Sequence, residues 1–204
     1  MTDLSETDQS GPTSPVSLDF RGPREINRWR PLFHWLLVIP HLLVLWVLGV
    51  LASVCMLVAL LTVLFTKSIP DQLFGLIVMI YRYSWRVTSY ALWMREDYPP
   101  FDFTATPDDN GMDPHTVLEI QYPEELNRFG PLYKWFLALP HFVVIWFVAI
   151  GAVFVAIWAF FAVLFTGLYP AGARDYLVGL QRWTLRVQAY AGFLRDEYPP
   201  FSME

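Results

Sequence analysis

Residues 32–66 read LFHWLLVIPHLLVLWVLGVLASVCMLVALLTVLFT, without a single Lys, Arg, Asp or Glu. A bilayer core of ~30 Å takes about 20 apolar residues at a rise of ~1.5 Å each. The run is long enough to cross even when tilted. The same kind of run returns at Leu137–Thr166, LALPHFVVIWFVAIGAVFVAIWAFFAVLFT. The chain therefore reads as an integral membrane protein.

The bulk properties agree. Of 204 residues 55% are hydrophobic and 17% aromatic, an apolar fraction that soluble domains rarely combine with two uninterrupted runs. A formal net charge of -5 argues against nucleic acid as a partner. The one cysteine, Cys55, lies inside the first run, so no intrachain disulfide forms. Residues 1–15, MTDLSETDQSGPTSP, are acidic and rich in Ser, Thr and Pro. They lack the basic start and short apolar core of a signal peptide and read as a disordered cytosolic tail.

The second half overlays the first at an offset of one hundred residues without gaps. Asn27, Arg28, Pro31, Leu32 and Trp35 fall on Asn127, Arg128, Pro131, Leu132 and Trp135, and Pro40-His41 falls on Pro140-His141. Arg82, Arg86, Val87, Tyr90 and Arg95 fall on Arg182, Arg186, Val187, Tyr190 and Arg195, and Tyr98-Pro99-Pro100-Phe101 falls on Tyr198-Pro199-Pro200-Phe201. This register marks a tandem duplication. It divides the chain into the tail 1–15, a first membrane repeat 16–103, an acidic linker 104–115 and a second membrane repeat 116–204.

The order Asn-Arg-(aromatic)-x-Pro, Pro-His within an apolar run, Leu-Phe-Thr-Gly-x-Tyr-Pro, Arg-x-x-x-Arg-Val-x-x-Tyr and Asp-x-Tyr-Pro-Pro-Phe resembles a bacterial membrane-protein family, domain of unknown function 4389. The resemblance covers nearly all of residues 16–103 and 116–204. Residues 164–170 match the Leu-Phe-Thr-Gly-x-Tyr-Pro element fully, whereas the first copy carries Lys67, Ser68 and Ile69 in its middle. The resemblance implies the repeat boundaries and the membrane class, and no catalytic residue.

Each repeat opens on a short alternation, Val16, Leu18 and Phe20 in one and Val117 to Gln121 in the other, which predicts two strands with one apolar face. Under a two-fold relation between repeats they would pair as a ribbon at the cytosolic surface. The linker is all turn formers and acids. Aligning Gly111 with the invariant glycine of a calcium loop puts Thr106 and Val117 where carboxylates are needed, so no metal site is expected there.

The second arm of each repeat decides the topology. Ile69–Met94 is apolar except for a stripe of Asp71, Gly75, Arg82, Arg86 and Ser89 at helical spacing. It reads either as an interfacial helix or as the returning arm of a membrane hairpin with inward arginines. Counting basic residues by side favours the hairpin. The expected fold is all-α and membrane-embedded: two parallel repeats, each a long apolar helix plus an amphipathic arginine-bearing helix, four helices in all. It would sit multi-pass in a bacterial plasma membrane with both termini cytosolic.

The hairpin brings His41, Arg82, Arg86 and Tyr90 into one polar layer, mirrored by His141, Arg182, Arg186 and Tyr190. Such a layer can be purely structural, satisfying the carbonyl that Pro40 frees. It can also hold anionic lipid headgroups or a partner through arginine. A third reading has His41 and His141 facing each other and ligating one haem, and a fourth has an ion path. His34 and its counterpart Lys134 read as a basic, solvent-facing surface. No P-loop, GxGxxG, HExxH, GxSxG or CxxC occurs, and little chain lies outside the membrane to bury a catalytic domain. The reading is a non-catalytic accessory or scaffold subunit without a cofactor. It would engage anionic lipid, and a protein partner or a second copy of itself, in the membrane.

Overall fold

The computed structural model describes residues 15–204, so the tail assigned to 1–15 lies, but for Pro15, outside the described residues. The chain order is β1 (Val16–Phe20), α1 (Arg30–Leu37), α2 (Ile39–Thr66), α3 (Asp71–Ala91), β2 (Thr116–Ile120), α4 (Gly130–Thr166) and α5 (Ala171–Ala191). The expected long helix is split at Val38 in the first repeat, just before Pro40, and runs unbroken through Pro140 in the second. A proline removes one backbone hydrogen bond and crowds the preceding turn. One copy yields to that strain and its counterpart does not.

The helix ends follow from local chemistry. Asn27 and Asn127 accept hydrogen bonds from the backbone N–H two residues on, at 3.2 and 3.0 Å, turning the chain into the first helix of each repeat. Lys67 and Gly167 close the long helices in the left-handed region, at φ 60° and 75°. The extended Pro70 and Pro170 then start α3 and α5.

The predicted ribbon forms. β1 pairs antiparallel with β2, with Leu18 opposite Leu118. Because those two leucines are counterparts, a pseudo-two-fold axis relating the repeats passes between them. Val16, Leu18, Leu118 and Ile120 are buried, while Ser17, Asp19, Val117 and Glu119 are half-buried or exposed.

The same axis fixes the direction of the long helices. The turn after α4 pairs with the lead-in to α1: Ile26 N–H donates to the Gly167 carbonyl at 2.8 Å, and Tyr169 N–H to that of Arg24 at 2.7 Å. In mirror fashion, Leu126 N–H donates to the Lys67 carbonyl at 2.8 Å. Each long helix thus ends where the other begins, so α2 and α4 run antiparallel. This corrects the expected parallel repeats. The physical reason is the antiparallel ribbon, whose axis lies across the helices rather than along them.

The result is three layers. On α3, Tyr83, Val87 and Tyr90 pack against Val38 and Leu48 on the α2 side. Roughly half a turn around, Val78 and Trp85 join the ribbon's Val16, Leu18, Leu118 and Ile120 in the main core. α5 repeats this, with Trp183, Val187 and Tyr190 toward α4 and Val178 and Leu185 toward the ribbon. So α3 and α5 form a middle layer, covered by the ribbon on one side and the long helices on the other. Each long helix buries only a narrow stripe, His41, Leu48, Cys55, Ala59 and Val63 on α2. The rest stays open, with Trp46 at 72% and Phe165 at 70% exposure. Among the described residues only α2 and α4 are long and apolar enough to cross a membrane; α3 and α5 are not.

Candidate functional site

Arg82 and Arg86 stand one turn apart on α3, on its ribbon-facing side. The linker lies across them. Arg82 donates through Nε to the Leu118 carbonyl at 2.9 Å, through Nη1 to that of Thr106 at 2.6 Å, and through Nη2 to that of Pro107. Its Nε also lies 3.7 Å from Asp109. Arg86 donates to Asp102 at 2.9 Å and has Asp109 and Asp113 each 3.9 Å away. Arg95 donates to Asp113 at 2.5 Å. The arginines and Asp113 are almost wholly buried. Buried charge survives only when paired and hydrogen-bonded, and here the linker acids do the pairing. The linker can lie this close because Gly75 has no Cβ, which would stand 2.7 Å from the Ala105 carbonyl oxygen.

The carboxyls respond. Burial pushes Asp113 up, but hydrogen bonds from Arg95, Thr116 and the His115 N–H outweigh it and hold the group below the usual carboxylate range. Asp102 is likewise held well below that range, burial being overcome by hydrogen bonds from Thr104, Asn110 and Arg86. Asp102 at the end of the first repeat, with Asp109 and Asp113 of the linker that reads as loop, is the counterion set of the first repeat.

The matching pair on α5 is dressed differently. Arg182 donates to the Leu18 carbonyl at 2.8 Å and has one carboxylate, Asp19, at 3.9 Å. Arg186 donates to the Ser202 carbonyl at 2.6 Å, and its buried Nε has no hydrogen-bond partner among the described residues. Ser202 stands where the first repeat has Asp102.

His41 belongs to neither arginine layer. Its Nδ1 meets the Tyr83 hydroxyl at 2.6 Å, its ring stacks on Phe101 with centroids 4.3 Å apart, and Tyr98 lies at 4.6 Å. His141 accepts at Nδ1 from Trp183 Nε1 at 3.1 Å and stacks on Phe201 at 3.8 Å. Accepting there leaves the proton of a neutral ring on Nε2. The Tyr-Pro-Pro-Phe motif of each repeat thus cages the histidine of that same repeat. The cages sit at the starts of antiparallel helices, hence at opposite ends of the molecule. The two histidines do not face each other, which removes the geometry for one shared haem.

Tyr90 stacks under His34 at 4.1 Å, and Tyr190 lies beneath Lys134 Nζ at 5.1 Å from its ring centre. His34 and Lys134 were expected at the surface and are both buried. His34 Nδ1 meets the Tyr90 carbonyl at 3.1 Å, and Lys134 Nζ donates to the Arg195 carbonyl and pairs with Asp196, both at 2.6 Å. They tie the start of each long helix to the end of its neighbour, where carbonyls want a donor. Burial lowers the His34 pKa.

The expected layer of His41, Arg82, Arg86 and Tyr90 therefore separates. The aromatic and histidine members, His141 and Tyr190 included, face the long helix, whereas Arg82 and Arg86 face the ribbon and linker, Arg182 the ribbon and Arg186 the segment at Ser202. Sequence reasoning passed over Phe101, Phe201, Tyr83 and Trp183 as cage walls, and Asp102, Asp109 and Asp113 as counterions. The recurrence of Pro-His together with Tyr-Pro-Pro-Phe in each copy was the available signal.

These features define a tandemly duplicated chain, mainly helical, with two helices apolar enough for a membrane. The chain belongs to the family described as Domain of unknown function (DUF4389), which matches it over residues 28–102 and 122–203. No curated protein and no solved structure matches it.

Proposed function

We propose that this chain is a non-catalytic membrane protein lying along one leaflet, α2 and α4 embedded in the plane of the bilayer, and that it serves as an accessory or scaffold subunit. One observation carries the reading: the middle layer separates an open apolar face from a charged ribbon. Were α2 to cross the bilayer, the ribbon on the two-fold axis would lie near mid-membrane. Asp19, Glu119 and the exposed edge of Arg182 would then enter hydrocarbon, at ~2.5–3.5 kcal/mol for each charge on insertion scales. Lying flat, α2 and α4 bury their open Leu, Val, Trp and Phe side chains while every charge stays in water or at the rim. Arg28 and Lys67, at the two ends of the apolar layer, are then level with the headgroups of one leaflet and attract anionic lipid. The opposite face, bearing the ribbon, is presented to a protein partner.

The reading is tested by sidedness. In a Cys55→Ser background, Glu25→Cys and Lys67→Cys flank the apolar helices on exposed positions. A membrane-impermeant maleimide should label both from the same side of sealed vesicles. Labelling from opposite sides means that α2 crosses, and the in-plane placement is lost. Purification in mild detergent with mass spectrometry reads the accessory role: a stoichiometric partner or retained anionic lipid is expected, and a bare monomer retaining neither would refute it.

A further inference from the structure

We propose that Arg182 and Arg186 form a binding site for an extended acidic peptide segment, one carboxylate seated between the two guanidinium groups. The proposal deepens the role above and rests on it only in taking the ribbon face to be aqueous.

The first repeat is the mould. There an extended acidic segment lies over the equivalent pair, giving Arg82 two of its main-chain carbonyls and Arg86 a carboxylate at 2.9 Å. Asp109 reaches both guanidinium groups, at 3.7 and 3.9 Å. The pseudo-two-fold carries the ribbon contact across faithfully: Arg82 donates to the Leu118 carbonyl at 2.9 Å and Arg182 to that of Leu18 at 2.8 Å. It does not carry the counterions across. Among the described residues, Arg182 has only Asp19 at 3.9 Å and its side chain is 37% exposed, against 4% for Arg82. Among the described residues Arg186 has no carboxylate within ion-pair reach; its buried Nε makes no hydrogen bond, and whereas the equally unbonded Nε of Arg86 has Asp113 at 3.9 Å, that of Arg186 has no acid beside it. Burial and then the Arg182 charge both act against the Arg186 cation, with no acid opposing them.

Two half-buried guanidinium groups one turn apart, short of counterions, match a carboxylate better than any neutral ligand. Arg182 reaches the ribbon at the Leu18 carbonyl and Arg186, one turn on, reaches the Ser202 carbonyl, so the pair lies beside the ribbon rather than on the open apolar face of α4. An extended chain also supplies carbonyls for the remaining Arg182 donors, as Thr106 and Pro107 do for Arg82. Such a segment has two sources: the acids at the start of this chain, Asp3, Glu6 and Asp8, or an acidic stretch of a partner.

The probe is a fluorescent synthetic peptide with the sequence of residues 102–113, DFTATPDDNGMD, titrated into the full chain in mild detergent. Three proteins are compared: the unchanged chain, the chain with Asp3→Asn, Glu6→Gln and Asp8→Asn, and the chain with those changes plus Arg182→Gln and Arg186→Gln. The peptide should bind the second protein and lose at least about tenfold in affinity to the third. A peptide with asparagine for every aspartate should not bind. Equal binding to the first and second proteins assigns the site to a partner's segment; binding to the second alone assigns it to this chain's own acids. Failure to bind the second protein overturns the proposal, as does indifference to the arginine changes or to peptide charge. Should Arg182→Gln and Arg186→Gln disturb the fold by circular dichroism, the peptide-charge comparison on the second protein decides alone. The assay contains no bilayer, so failure of the in-plane reading leaves its outcome untouched.

Discussion

Replacing Asp113 by Ala removes a carboxylate whose side chain is fully buried and which accepts from Arg95 at 2.5 Å and from the Thr116 hydroxyl at 2.7 Å. It also lies 3.9 Å from Arg86 Nε. The variant leaves the Arg95 guanidinium, 1% exposed, without its counterion, and breaking a buried pair this way costs about 3–5 kcal/mol. For a chain of this size each kcal/mol moves the melting temperature by roughly 2–4 °C. Asp113→Ala should therefore lower it by roughly 6–20 °C, read by tryptophan fluorescence in one detergent at fixed protein concentration. Arg95→Met should destabilise comparably. Combining Arg95→Met with Asp113→Leu should recover part of the loss, since an apolar pair replaces an ion pair at little cost. Recovery stays incomplete because Arg86 and Thr116 still lack Asp113. A loss within ~0.5 kcal/mol for Asp113→Ala, the scale of a surface change, or a double variant worse than the sum of the singles, would refute the claim that the linker acids hold the middle layer.

Acid should act through the same groups. Asp102 and Asp113 have folded-state pKa values below their unfolded ones, so their stabilisation is present above about pH 4 and is lost as pH falls through the folded values. Melting temperature should hold between pH 7 and 5 and drop below about 4, with a shallower drop in Asp102→Asn; a profile flat to pH 3 contradicts this. Gly75→Ala sets a Cβ 2.7 Å from the Ala105 carbonyl oxygen and Gly179→Ala one 2.9 Å from that of Met203, whereas Gly172→Ala meets nothing within 4 Å. The first two should cost about 1–3 kcal/mol in a thermal melt and the third nothing; equal melting of all three would show that neither close approach matters. Tyr83→Phe leaves His41 Nδ1 buried and unpartnered, at about 1–3 kcal/mol in the same melt, and a neutral result would mean that the hydroxyl does not hold the ring. Haemin added to the purified protein should give no bis-histidine spectrum, and its appearance would mean that the two cages open toward each other.

Much of the architecture was legible. The duplication, the long apolar helices and the ribbon follow from identity at fixed offset and from two simple periods. The side on which α3 spends its arginines was not. A polar stripe on an apolar helix signals only that something shields it, and hydropathy treats lipid, protein and a folded linker alike. The partners of Arg82 and Arg86 lie in a stretch whose composition says loop. Its acids became informative only once Gly75 let the backbone at Ala105 approach. His34 and Lys134 misled for a related reason: residue type places them outside, while the carbonyls at the ends of α3 and α5 draw them in. The antiparallel course of α2 and α4 follows from the antiparallel pairing of β1 with β2 and shows in the Gly167–Ile26 and Lys67–Leu126 bonds, which no local pattern announces.

The pairing of β1 with β2 has a consequence for synthesis. Val16 waits for Ile120, and with chains growing at ~5–20 residues per second the delay is about 5–20 s. For that time the first copy has made its apolar helix and its edge strand with nothing to seal either, and unsealed edges invite pairing with other chains. The nascent protein then offers a second copy the same edge, since an antiparallel pair of two β1 strands would again set leucine opposite leucine, as Leu18 stands opposite Leu118. Polysomes crowded on one message are where that mispairing would be found.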